Sequence, residues 1–77
     1  MTNAWKAPVE IHFGMIGTRT VSGPFDALIY LTDQWPNRSG PRFAKARVAC
    51  KAAVEGRLEA EAAREEFIAA AREVRMH

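Results

Sequence analysis

Hydrophobic and polar residues alternate strictly from Pro8 to Phe13, with Val9, Ile11 and Phe13 on one side and Glu10 and His12 on the other. A period of two, carried by β-branched and aromatic residues, predicts a half-buried strand. Gly14 and Gly17 then supply the positive φ angles of a tight connection. Thr18 to Val21 reads as the returning strand. Strands at about 8–13 and 18–22 therefore form a β-hairpin, and Trp5, which shares the parity of Val9 and Ile11, folds back over its apolar face.

Beyond Gly23 the period lengthens. Phe25, Leu28, Ile29, Thr32 and Trp35 recur at helical spacing and predict a helix at about 24–35 with that stripe turned inward. Pro24 suits its first turn, Asp26 complements its dipole, and Pro36 stops it. After the loop Pro36–Pro41, Ser39 or Gly40 caps a second helix at about 41–55 that opens on Pro41. Phe43, Ala46, Cys50 and Ala53 or Val54 form its apolar stripe, and Gly56 stands where a C-terminal glycine belongs. A third helix, at about 59–74, repeats Ala60, Ala63, Phe67, Ala70 and Val74, flanked by Ile68 and Ala71. The fold class is α+β: an N-terminal β-hairpin packed on three helices, the last two an antiparallel helical hairpin.

Length sets the scale of the core. The 77 residues make a single small domain, 1–77, and a chain this short buries only about 60–65% of its unfolded surface. Small domains of this kind often lean on a metal, disulfides or a partner chain. With one cysteine there is no intrachain disulfide, so a reduced, cytoplasmic setting is expected. The first ten residues lack the apolar run of a signal peptide, and no stretch is apolar enough for a membrane span.

The formal charge of +2 is too small to imply nucleic acid by itself. Its distribution is more informative. From Gln34 to Val54 every charge is positive, carried by Arg38, Arg42, Lys45, Arg47 and Lys51, whereas five glutamates follow between Glu55 and Glu66. At 100° per residue Arg42 and Arg47 flank the apolar stripe on opposite sides, with Lys45 and Lys51 further round, so the cations encircle the helix instead of forming one ridge. The helix start at Gly40–Pro41, with Arg38 and Arg42 nearby, is the best place for a small anion.

Little else carries chemistry. Cys50 lies mid-helix on the apolar stripe with no histidine near it, which describes a packed, inert thiol. His12 and His77 with one cysteine do not make a zinc site. Glu61, Glu65 and Glu66 read as a solvated face with Arg57 and Arg64 within pairing reach. No catalytic residue, metal or cofactor is expected.

The segments PVEIHFG, RTVSGPFDALIYLTDQWP and ARVACKAAVEGRLEAEAAREEFIAAARE together resemble domain of unknown function 982 (DUF982), a small bacterial family. The hairpin, the helix ending in Trp35-Pro36, Ala46-Arg47 with Cys50, Gly56, and Ala63-Arg64 with Phe67, Ile68 and Ala70 carry the resemblance, from about Trp5 to Arg75. It implies a single-domain bacterial protein of stand-alone type and brings no activity, substrate, cofactor or site residue. The expected function is therefore a non-enzymatic protein-interaction module, homodimeric or with another protein, with Trp5, Trp35 and the hairpin edge as contacts. The alternative is nucleic-acid or anionic-ligand binding through Arg38, Arg42, Lys45, Arg47 and Lys51.

Overall fold

The computed structural model describes residues 5–12, 17–33, 35 and 40–75. Two strands, β1 (Val9–His12) and β2 (Thr18–Val21), precede three helices, α1 (Pro24–Asp33), α2 (Pro41–Val54) and α3 (Ala60–Arg75). This is the α+β arrangement that the change of period implies. Phe13, Gly14, Pro36, Arg38, Ser39 and His77 lie outside the described residues.

The strands pair antiparallel in the register Val9–Val21, Glu10–Thr20, Ile11–Arg19 and His12–Thr18. Val9, Ile11 and Val21 are buried on one face, as the alternation requires. Arg19 shares that face opposite Ile11 yet remains exposed. A charge so placed on a short edge strand discourages pairing with another chain. On the other face His12 Nδ1 and the Thr18 hydroxyl hydrogen-bond at 2.8 Å.

The helical termini follow local chemistry. The Gly23 carbonyl accepts from Ala27 N–H ahead of Pro24, and the Gly40 carbonyl accepts from Ala44 N–H ahead of Pro41. At the end of α2, Gly56 adopts φ +81°. Its N–H donates to the Ala53 carbonyl, and Arg57 N–H reaches back to the Ala52 carbonyl. That pair of bonds is a Schellman cap, which needs a residue without a Cβ at the left-handed position.

Helices α2 and α3 pack most extensively of all the elements. Glu73, near the end of α3, lies against Gly40 at the start of α2, so the two run antiparallel. Both present alanines to the core: Ala46, Ala49 and Ala53 from α2, and Ala63, Ala70 and Ala71 from α3. Small side chains let the axes approach, and Phe67 fills the space that remains. Its ring is fully buried, 5.7 Å from the Trp5 ring and 5.4 Å from the Trp35 ring, both pairs tilted. Tilted aromatic pairs of this kind add about 0.5–1.5 kcal/mol each beyond the area they bury.

Residues 5–7 strap the hairpin to α3. Trp5 N–H donates to the Ser22 carbonyl just beyond β2. Trp5 Nε1 donates to the Ala60 carbonyl at 2.8 Å, Lys6 N–H donates to Glu61 Oε2 at 3.1 Å, and Arg64 Nε donates to the Ala7 carbonyl at 2.9 Å. Glu61 and Arg64 are thus drawn into holding the N-terminal segment, whereas sequence spacing suggests a merely solvated pair.

The phase of α1 departs from expectation. Pro24, Ala27 and Leu31 are its buried residues. The stripe of Phe25, Leu28, Ile29 and Thr32 is rotated outward: Phe25 is 61% exposed and Ile29 45%, Thr32 is exposed, and only Leu28 is partly covered. Positions 24, 27 and 31 share a face at spacings of three and four, and Ala27 and Leu31 pack into the core cluster that also holds Trp35 and Phe67.

A candidate interaction surface on helices α1 and α2

The core stripe of α2 is Phe43, Ala46, Ala49, Cys50 and Ala53. Val48 lies on the side of the helix opposite these residues and is 68% exposed, a large apolar side chain among cations and alanines. At 100° per residue Arg47 and Lys51 fall on one side of it and Lys45 on the other. A groove follows on each flank. One, of about 380 Å³, lies between α1 and α2 and is lined by Leu28, Thr32, Arg47, Val48 and Lys51. The other, of about 330 Å³, lies towards the α2–α3 connection, where Lys45, Val48, Arg57, Leu58 and Glu66 contribute.

The outward stripe of α1 continues the first groove. Leu28 and Thr32 line it, and Phe25 and Ile29 are their neighbours on the same helical face. Phe25, Ile29 and Val48 are large exposed apolar side chains. Sequence reasoning missed this surface for two reasons. Phe25 and Ile29 fit an inward stripe equally well, and Val48 falls outside the three-four pattern of α2. That misfit was the available signal.

The predicted cations are only partly brought together. Arg42, Lys45, Arg47 and Lys51 are all exposed, and Arg38 lies outside the described residues. Arg47 and Lys51 share one groove, Lys45 borders the other, and Arg42 stands in the first turn of α2. Among the described residues no salt bridge engages any of the four; the one ion pair joins Arg57 to Glu55. The Arg57 hydrogen bond holds the Glu55 carboxyl below its usual range, and the charges of Arg57 and Lys51 act in the same direction.

The start of α2 lies beside a carboxylate of α3. Gly40 caps it without a side-chain bond, and a Cβ at Gly40 would stand 2.7 Å from Glu73 Oε1. The chain's own carboxylate therefore lies where the helix dipole favours negative charge. A correction also applies to the tryptophans. Trp5 and Trp35 are 5% and 4% exposed, so both are core residues in the folded chain and neither offers a surface to a partner.

Cys50 is fully buried, and burial pushes its thiol up to about 12, far from a nucleophilic thiolate at neutral pH. Among the described residues no three histidines, cysteines or acids are grouped to hold a metal. No helix among them is long and apolar enough to cross a membrane.

The hairpin-and-three-helix architecture, with Trp35, Cys50 and Gly56 at these stations, defines a small α+β domain whose α1–α2 groove is apolar and basic. The chain belongs to the family described as protein of unknown function (DUF982), whose model matches residues 7–77. No curated protein matches it, and no solved structure does.

Proposed function

We propose that this protein is a non-enzymatic interaction module of the bacterial cytoplasm whose contact surface is the α1–α2 face. One observation carries the reading: Phe25 and Ile29 on α1 and Val48 on α2 are exposed beside a groove that Arg47 and Lys51 border. Leaving three large apolar side chains in water is costly in so small a domain, and contiguous apolar surface with a polar rim is characteristic of binding sites. A benzophenone photocrosslinker in place of Val48 tests it. The expected outcome is a protein adduct from that position and none from the exposed strand position of Thr20. Absence of any adduct from position 48 overturns the reading.

Nucleic-acid binding is the second reading, because Arg42, Lys45, Arg47 and Lys51 are all exposed. It calls for binding to a mixed DNA and RNA pool that weakens steeply between about 50 and 200 mM salt. The division of these cations between two grooves and the first turn of α2 favours the protein partner.

A further inference from the structure

Resting on the interaction-module reading, we infer that the α1–α2 groove receives an acidic amphipathic helix of a partner protein. The groove offers an apolar floor with cations on one wall. Leu28 and Val48 stand across it, and Arg47 and Lys51 line its α2 side one turn apart; Phe25 and Ile29 are exposed on the same face of α1 as Leu28. None of the described residues that line it is an acid. The second groove includes Glu66 beside Lys45 and Arg57, so it has no such single sign.

The dimensions suit a helix. From Phe25 to Thr32 the exposed face of α1 runs over two turns, ~10 Å. That length meets anchors at positions i, i+3 and i+7 of a docked helix, the usual spacing for helix-in-groove recognition. Carboxylates flanking those anchors would face Arg47 and Lys51. Lys51 also feels Glu55 one turn further on, so Arg47 is the less compensated of the two.

Charge also decides against a second copy as occupant. Pairing this face with itself across a two-fold axis brings the same patch from each subunit together. Each copy would then bring Arg47 and Lys51 to the shared interface with no acid from the described lining to neutralise them, and like charges gathered in one interface oppose association. Docking the glutamate-bearing surface of α3 into the groove of another copy would be head-to-tail, a geometry that extends into chains unless it closes into a ring.

The test is a selection from a displayed library of helical peptides of about sixteen residues, ~24 Å long. Leucine is held at i, i+3 and i+7, and the flanking positions vary among Glu, Gln and Lys. The inference expects Glu to be enriched at the flanks, and a synthesised winner to bind the protein roughly tenfold tighter than its Lys-flanked twin. Arg47→Glu with Lys51→Glu should reverse that preference. Val48→Asp or Ile29→Ser should remove binding while the thermal unfolding midpoint stays in place. Lys enrichment, no flank preference, or a Glu preference that survives the double reversal overturns the inference. If no peptide is enriched but a crosslinker at position 48 still traps a protein, the acidic-helix inference falls and the interaction module stands. If the trapped protein is a second copy, the groove is a self-association surface. If there is neither enrichment nor adduct, both fall.

Discussion

Phe67 touches both indoles of the core, one brought by the N-terminal segment and one by Trp35, two residues beyond α1. A domain of this length holds roughly 4–12 kcal/mol in all. Phe67→Ala removes a fully buried ring and should cost about 3–5 kcal/mol, most of the margin, which urea unfolding followed by tryptophan fluorescence will measure. Cys50 makes a pH prediction of definite sign. Its folded thiol stands near 12 against 9.0 when free. Below pH 9 both folded and unfolded chains hold the proton and the thiol contributes evenly. Above it the unfolded chain releases the proton while the folded one keeps it, so stability falls by about 1.4 kcal/mol per pH unit up to the folded value. Chemical unfolding at pH 8, 9 and 10 should show this slope in the native protein, and Cys50→Ala should lack that part of it. Cys50 and Phe67 were both legible as core residues because each sits centrally in an unambiguous stripe.

At the level of elements, the α2–α3 connection is the most local feature of the fold. Gly56 has open space where a Cβ would stand, so the cost of a side chain there is backbone strain alone. Gly56→Ala should lose about 1–2 kcal/mol by forcing an L-residue to φ +81°, read from the shift in urea midpoint at unchanged slope. The glycine at that position, after a run of helix formers, is visible in the sequence because capping depends on neighbours a few residues away. The phase of α1 is different. Its residues 24, 27 and 31 and its residues 25, 28, 29 and 32 offer two adjacent stripes, and local pattern prefers the more hydrophobic one. Core packing buries Ala27 and Leu31 instead, which exposes the face on which the proposed partner rests.

Over the whole molecule, the hairpin is joined to the helices by the strap at residues 5–7. A two-stranded sheet alone is marginal in water, and its support comes from the core contacts of Val9, Ile11 and Val21 together with the bonds from Trp5, Lys6 and Arg64. Trp5→Phe keeps an aromatic ring against Phe67 and deletes the Nε1 donor to Ala60. It should cost about 0.5–1.5 kcal/mol. Hydrogen exchange should report it first, as faster exchange of the Trp5 amide, which is bonded to the Ser22 carbonyl, and of the β1 amides, with α2 little affected. None of the strap bonds is legible in sequence, because their partners stand 55 or 57 residues apart.

The sequence by itself determined the class of fold, the order of elements, the apolar stripes of α2 and α3, the glycine cap between them and the family. All of these rest on periodicity or on chemistry within a turn or two of the chain. Tertiary structure alone decided which face of α1 is inside, that Trp5 and Trp35 are core residues instead of contacts, that Glu73 lies at the start of α2, and that Arg47 and Lys51 share a groove with Leu28 and Val48. Those outcomes depend on which helix lies beside which and at what rotation. Rotation is settled by packing between elements far apart in sequence, such as the contacts of Phe67 with Trp5 and with Trp35, which no local pattern encodes.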